Sequence, residues 1–454
     1  MKAIVIGAGE VGYNIADILS KEGNDIILID KDENRLKAVS ENLDIQTIPG
    51  SGSSPRILKK AKIEQAEMVV AVTDSDETNI VACLIASTQS KVPVKIARIR
   101  EPDLDKAPAI FGKEYLDINL CINPEREAVG KAIRLIEYAG ASEVMDFADG
   151  RIKLIAFPVD RACPVAGKNL KEFSEMYDGE ALVASIVRHN ELVIPTGSTV
   201  ILPRDYMFVF VETSKVRDLL QFFGKDTQQA ERVFIMGGGN TALMLAEELE
   251  KKDIATKIVE KRQDRCETLS GRLDKTICLH GDGTSQNLLR EENIQEADYF
   301  VAVTNDEEAN ILGALLAKQL GAKRALCLIN KVDYTHLIPI IGIDGVMNPR
   351  QATVGKILHF IRKGEIISST PLSDEKAEAV EFIALETSEI TGKPLRKIKF
   401  PKGTIIGAVL REDRVIIPMG DTVILPGDHV ILVTLRSAIP QIEKILTVKL
   451  DYFG

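Results

Sequence analysis

Gly7, Gly9 and Gly12 stand at i, i+2 and i+5 in KAIVIGAGEVG, directly after an apolar run. That spacing suits a loop that brings bare backbone to a pyrophosphate. The first glycine makes the turn, the second lets the phosphates approach, and the third lets the following helix pack close to the strand. Asp30 ends the next apolar run, where a carboxylate can accept from adenosine ribose hydroxyls. The same pattern returns in RVFIMGGGNTAL, with Gly237, Gly238 and Gly239, then Ala242 for the third glycine and Glu260 in the place of Asp30. Both carboxylates favour NAD over NADP, while Lys31, Lys261 and Arg262 beside them leave that choice open.

Other residues belong to the same rim. In a doubly wound sheet the ligand lies over the carboxyl ends of the strands, so Thr73 and Asp74 after the fourth apolar run, with Thr304 and Asn305 in the copy, either border it or cap the next helix. Ser51 in GSGS and Asp282 in GDGT end the third run, where they approach the adenine or its ribose or serve as plain turn residues. Arg98 and Arg100 in VKIARIRE share one face of a predicted strand end; they either clamp phosphate or pair with neighbouring acids. The copy has Leu328 and Asn330 there, so the two pockets are expected to differ in ligand preference.

Catalytic residues are harder to find. A dehydrogenase needs a proton donor or acceptor beside the nicotinamide. Of the five histidines, His189, His280, His336, His359 and His429, none falls in the first glycine-loop segment, and exposed or capping roles suit them. No HExxH, GxSxG or GxxxxGK[ST] motif and no metal-ligand spacing occurs. Two readings follow: a nucleotide sensor whose ligands select conformations, or a cytosolic NAD-dependent oxidoreductase. A scaffold with vestigial pockets is a third.

The elements that must position these residues are duplicated. AVTDSDETNIVACLIA at 71–86 matches AVTNDEEANILGALLA at 302–317 in eight of sixteen places, and PTGSTVILPRD at 195–205 matches PMGDTVILPGD at 418–428 in eight of eleven. The offset is 230 at the glycine turns and 231 at the first of these pairs, so one insertion separates them. The order is A-B-A′-B′. Unit A alternates apolar runs, Ala3 to Ile6, Asp25 to Ile29, Asp44 to Ile48, Met68 to Val72 and Val94 to Ile99, with helical stretches, which predicts a parallel sheet covered on both faces. Unit B predicts a small strand-rich module. Seams are expected near 119–145, 224–232 and 363–378. Apolar stripes through Ala128, Val129, Ala132, Ile133 and Ile136, and through Val354, Ile357, Leu358 and Ile361, predict helices between A and B that serve as core or as subunit contact.

Composition bounds the classes. The chain has 454 residues, too many for one core, with 45% hydrophobic and 27% charged residues. A net charge of -10 without a basic patch argues against nucleic acid and against direct lipid insertion. No signal peptide is evident, and no apolar run approaches the about 20 residues that span a bilayer. Six scattered cysteines without a CxxC pair predict buried free thiols in a reducing cytosol.

KAIVIGAGEVG, AVTDSDETNIVACLIA, KIARIREPD, LIEYAGA, VMDFADG, VFIMGGGNTA, GDGT and AVTNDEEANI together resemble the TrkA family, the RCK (KTN) domain regulatory subunits of Trk-type potassium uptake systems. The resemblance runs from end to end. It implies an α/β chain in which two doubly wound Rossmann-like parallel-sheet domains, 1–123 and 231–348, alternate with two small α+β RCK C-terminal domains, 142–226 and 368–453. It implies NAD(H) and ATP/ADP as ligands, a ring-like homotetramer, no enzymatic activity, and a cytoplasmic protein peripheral on the inner face of the membrane through a Trk-type transporter whose potassium flux it gates. By motif, the first site is Gly7, Ala8, Gly9, Glu10 and Val11 around the pyrophosphate, Asp30 on the ribose, Ser51, Thr73 and Asp74 lining, and Arg98 on phosphate, with Arg100 behind it. The second is Gly237, Gly238, Gly239, Asn240, Thr241, Glu260, Asp282, Thr304 and Asn305; its lack of the arginine leaves its ligand open.

Overall fold

Four short apolar segments of the first hundred residues, KAIVI, DIILID, MVVA and VKIAR, are buried almost throughout, as a sheet covered on both faces requires. In the computed structural model they become β1 (Lys2–Ile6), β2 (Asp25–Asp30), β4 (Met68–Ala71) and β5 (Val94–Arg98), joined by β3 (Gln46–Pro49) and β6 (Leu120–Ile122). The sheet runs β3-β2-β1-β4-β5-β6 with every neighbour parallel. Chain direction across the sheet reverses between β1 and β4, which opens a crevice at their carboxyl ends. Several strand limits differ from the pattern by one or two residues. β3 starts at Gln46, not Asp44, and β5 stops at Arg98, so Arg100 lies beyond the strand.

The structure describes residues 1–101, 104, 108–189, 191–331, 334, 338, 341–361, 366–372 and 376–446. Of the features singled out from sequence, Pro102, Asp103, His336, the side chain of His359, residues 363–365 and 373–375 of the third seam, and 447–453 of the last domain lie outside the described residues.

The first small module is antiparallel: β7 (Glu143–Phe147), β8 (Ile152–Pro158), β9 (Ala181–Arg188), β10 (Glu191–Val193) and β11 (Tyr206–Glu212), in the order β10-β9-β11-β8-β7. The second half repeats both architectures. β12 (Arg232–Met236), β13 (Ala255–Glu260), β14 (Ile277–His280), β15 (Tyr299–Ala302), β16 (Arg324–Leu328) and β17 (Gly345–Met347) give β14-β13-β12-β15-β16-β17. β18 (Ile366–Leu372), β19 (Ala377–Ile383), β20 (Thr404–Arg411), β21 (Arg414–Ile416) and β22 (His429–Leu435) give β18-β19-β22-β20-β21, the order of the first module. Asp30 and Glu260 align at an offset of 230 but β3 and β14 at 231, so the inserted residue falls between Glu260 and Ile277.

Modules of one kind associate with each other. One compact unit holds residues 1–130 with 233–360, and the other holds 131–232 with 361–454. In the unit of small modules a single core joins Phe147, Leu154, Phe208 and Phe210 of one sheet to Ala379, Ala408 and Val433 of the other. A Cβ at Gly407 would stand 2.0 Å from the Phe210 ring, so backbone of one module lies directly on an aromatic ring of its copy. His429 meets Glu381 (Nδ1 to Oε1, 3.3 Å), whose Oε1 also accepts from the Ala148 amide across that core. The six cysteines are free, and burial pushes the thiols of Cys83 and Cys327 up to about 12.

Candidate functional site

Two of the three glycines of the first loop, Gly7 and Gly12, leave no room for a side chain. Gly7 has φ +108, and a Cβ there would lie 3.0 Å from the Thr73 amide nitrogen. A Cβ at Gly12 would meet the Gly7 carbonyl oxygen at 1.8 Å, which sets how closely the helix Glu10–Lys21 approaches β1. Gly9 is the N-cap of that helix and provides no side-chain acceptor, so the amides of the first turn face outward for an anion. Asp30 pins the loop from below: its Oδ2 accepts from the Ala8 amide at 2.5 Å and its Oδ1 from the Asp32 amide at 2.8 Å.

Gly7, Ala8, Gly9, Glu10, Val11 and Asp30 form one wall of a cavity of about 800 Å³. Thr73, Asp74 and Arg98 line it as well, with the Thr73 amide close against Gly7. Arg98 is only 8% exposed; its Nη2 donates to the Thr73 carbonyl (2.8 Å) and to Asp74 Oδ1 (2.6 Å), while its buried Nε has no partner. The hydrogen bond from Arg98 holds the Asp74 carboxyl below the usual carboxylate range. The arginine therefore faces the cavity and pairs with an acid at once. Arg100 also lines the cavity and donates from Nε to Glu125 Oε1 at 3.0 Å.

Thr73 is held by a buried asparagine. Asn79 Oδ1 accepts from the Thr73 amide and hydroxyl at 2.9 and 2.7 Å, and its Nδ2 donates to the carbonyls of Thr73 and Arg98. Helix capping falls instead to Ser75, which accepts from the Thr78 amide. Ser51 stands between two residues of the cavity lining. Its hydroxyl bonds to that of Ser53 (2.8 Å), and the flanking Gly50 and Gly52 line the cavity.

The second loop repeats this geometry. Gly237 has φ +100 and Gly239 is the N-cap of the helix Asn240–Lys251. Glu260, one methylene longer than Asp30, still pins the loop: Oε2 accepts from the Gly238 amide (2.6 Å) and Oε1 from the Arg262 amide (2.8 Å). Gly239, Asn240, Thr241 and Asn305 line a crevice of about 550 Å³, and Gly237, Gly238 and Glu260 shape the loop behind it. Thr304 is bound by Asn310 as Thr73 is by Asn79, and it lines the first cavity together with Thr241 and Asn305. Asp282 is tied up in its own turn, accepting from the Thr284 amide and hydroxyl, and pairs with Lys261 at 3.1 Å.

Arg265, Arg35 and Arg350 escaped the sequence reading. Arg265 donates to the Gly238 carbonyl (2.6 Å) and to Asn240 Oδ1 (3.2 Å), and Arg262 lines the same crevice. The signal was present, because Arg35 follows Asp30 at the spacing at which Arg265 follows Glu260, and Arg35 lines the first cavity. Arg350, also on the first cavity, lies 340 residues from its partner Glu10 and no local pattern marks it.

Family comparison fits this duplicated layout. The TrkA-N domain matches residues 3–116 and 233–349, and the TrkA-C domain matches 154–224 and 379–447. The Trk system potassium uptake protein TrkA of Halomonas elongata is 40% identical over the full length of both chains. The chain belongs to the TrkA family. The TrkA of Azorhizobium caulinodans is 37% identical, again across both chains in full, and TrkA homolog 1 of Methanosarcina mazei is 36% identical over 98% of this chain and 99% of that one. The crystal structure of the GsuK RCK domain superposes with a TM-score of 0.61 at 18% identity, covering 98% of this chain and 94% of that one. The GsuK channel bound to NAD gives 0.61 at 17%, covering 98% and 78%. Those likenesses establish the RCK fold. TrkA membership sets the chain apart from the oxidoreductases, the rival reading from sequence.

Proposed function

We propose that this chain is the nucleotide-binding regulatory subunit of a Trk-type potassium uptake system, and that occupancy of its two crevices gates flux through the membrane transporter. One observation carries the reading. Both glycine-loop crevices open within the unit formed by the two Rossmann-like domains, and the first is walled by residues of both, Gly9 and Asp74 from one and Thr304 and Arg350 from the other. A ligand there touches both halves, so its binding energy is spent differently when the halves are apart or together, as a ligand-driven switch requires.

The relatives named potassium uptake proteins support the transport role, and the NAD-bound GsuK channel and the GsuK structure bound to ADP support NAD(H) and adenine nucleotides as ligands. In this reading Gly7 to Val11 and Asp30 hold the first ligand with Thr73, Asp74 and Arg98, and Gly237 to Thr241 with Glu260 and Asn305 hold the second. The domain limits are 1–123, 142–226, 231–348 and 368–453. The subunit assembles as a homotetrameric ring and sits on the inner face of the membrane through its partner. Among the described residues no helix is long and apolar enough to cross a membrane.

The test is reconstitution with the Trk membrane subunit in proteoliposomes. Potassium flux is expected to change on adding NADH or ATP, with NADH recovered unoxidised. Flux that ignores both nucleotides, although the two proteins co-purify, would reject the gating role.

A further inference from the structure

The helices that follow β6 and β17 begin alike and then differ in charge. Asn123-Pro124-Glu125 opens one and Asn348-Pro349-Arg350 opens the other. Each asparagine caps its helix, accepting from the Arg126 amide at 3.1 Å and the Gln351 amide at 3.0 Å. The fold thus sets Glu125 and Arg350 at matching stations with opposite sign. Glu125 takes Arg100 from its own half. Arg350 crosses to the other half and donates to the carboxylate of Glu10, the first residue of the helix behind the first glycine loop.

That location carries an electrostatic conflict. The start of a helix attracts anions, and the outward amides behind Gly9 are placed for phosphate. Glu10 presents a carboxylate there, and Arg350 neutralises it. The pair is about half exposed on both sides (42% and 51%), and such pairs contribute little, so either partner is exchanged at small cost. A terminal phosphate is the better partner for a planar guanidinium, because it offers a dianion with three acceptor oxygens for bidentate hydrogen bonds.

We propose that Arg350 is a specificity-determining residue of the first crevice: contributed by the second Rossmann-like domain, it exchanges Glu10 for the terminal phosphate of a nucleoside triphosphate held by the glycine loop of the first. The inference rests on the nucleotide-binding reading above and goes further by naming the residue that selects the triphosphate among those ligands. A dinucleotide has only bridged phosphates, each with a single charge, and gives Arg350 no such partner. A triphosphate therefore ties the two halves together through Arg350, whereas NADH leaves the Glu10 pair intact.

Calorimetric titration of the full chain with ATP, ADP and NADH tests this. Arg350→Ala is expected to weaken ATP by about tenfold to a hundredfold, the range for losing a hydrogen bond to a charged group, with NADH largely unchanged and ADP, whose terminal phosphate lies one unit nearer the ribose, affected less. Glu10→Gln removes the competitor and is expected to tighten ATP, a gain that misfolding cannot produce. An ATP to ADP preference that survives Arg350→Ala overturns the inference and leaves nucleotide binding standing. If Arg350→Ala binds nothing at all, Glu10→Gln decides, and no tightening there overturns it too. A wild-type chain that binds neither ATP nor NADH removes both the inference and the reading beneath it.

Discussion

Asp30 and Glu260 do the same work at different lengths. Each carboxylate spends one oxygen on an amide of the glycine loop and the other on an amide just past its own strand, so each fixes the loop before any ligand arrives. Asp30→Ala therefore removes a ribose acceptor and loosens the loop together. First-site NADH affinity is expected to fall by about 1.5–3 kcal/mol, read by fluorescence titration, while Glu260→Ala leaves that site unchanged. Retained affinity in Asp30→Ala would move the ribose contact to another residue. These carboxylates and glycines were legible because their geometry is local, a turn and the end of the next strand. Arg98 was only half legible: its place on the rim follows from strand alternation, but its bond to Asp74 depends on how β4 and β5 pair. Ser51 and Asp282 were placed on the rim by chain position alone, and both side chains are turned into their own hairpin-tight turns.

At the level of elements, Asn79 and Asn310 stitch the switch point. Each is fully buried in a helix, and each bonds the amide and carbonyl of a threonine at the end of one strand and the carbonyl at the end of the next. Capping was one of the two roles open to Thr73 and Asp74 from sequence, and the sequence alone does not reveal that Asn79 and Asn310 face inward to the sheet. The consequence is measurable. Asn79→Ala leaves the Thr73 amide and the Arg98 carbonyl buried without partners, at about 1–3 kcal/mol for each group. Urea unfolding should show that loss, and Asn310→Ala should show the same at the second switch point. Asn79→Asp keeps the acceptor but buries a carboxylate against the carbonyls of Thr73 and Arg98, so a loss at least as large as that of alanine is expected. A change below about 0.5 kcal/mol for the alanine variants, typical of surface positions, would show that the strand ends hold without the stitch.

For the whole molecule, the order A-B-A′-B′ was written in the repeats, but the association of A with A′ and B with B′ was not, because it depends on faces more than two hundred residues apart. The small modules make the case most strongly. Phe147, Phe208 and Phe210 of the first sheet share one core with Ala379, Ala408 and Val433 of the second, and Gly407 lies against the Phe210 ring. A half chain ending at residue 226 would expose this face, and exposed apolar patches of that kind drive association. Its own second copy is the nearest substitute for the missing half, because the two halves share strand order and repeat lettering. The fragment 1–226 is therefore expected to form homodimers at concentrations where the full chain shows no such added association, a difference sedimentation velocity resolves. Phe210→Ser in the fragment should weaken the dimer by replacing the ring at the centre of the shared core. A fragment that stays monomeric, with the cooperative melting of a packed domain, would mean that each small module closes its own core and that the aromatic face in the full chain is incidental to its stability.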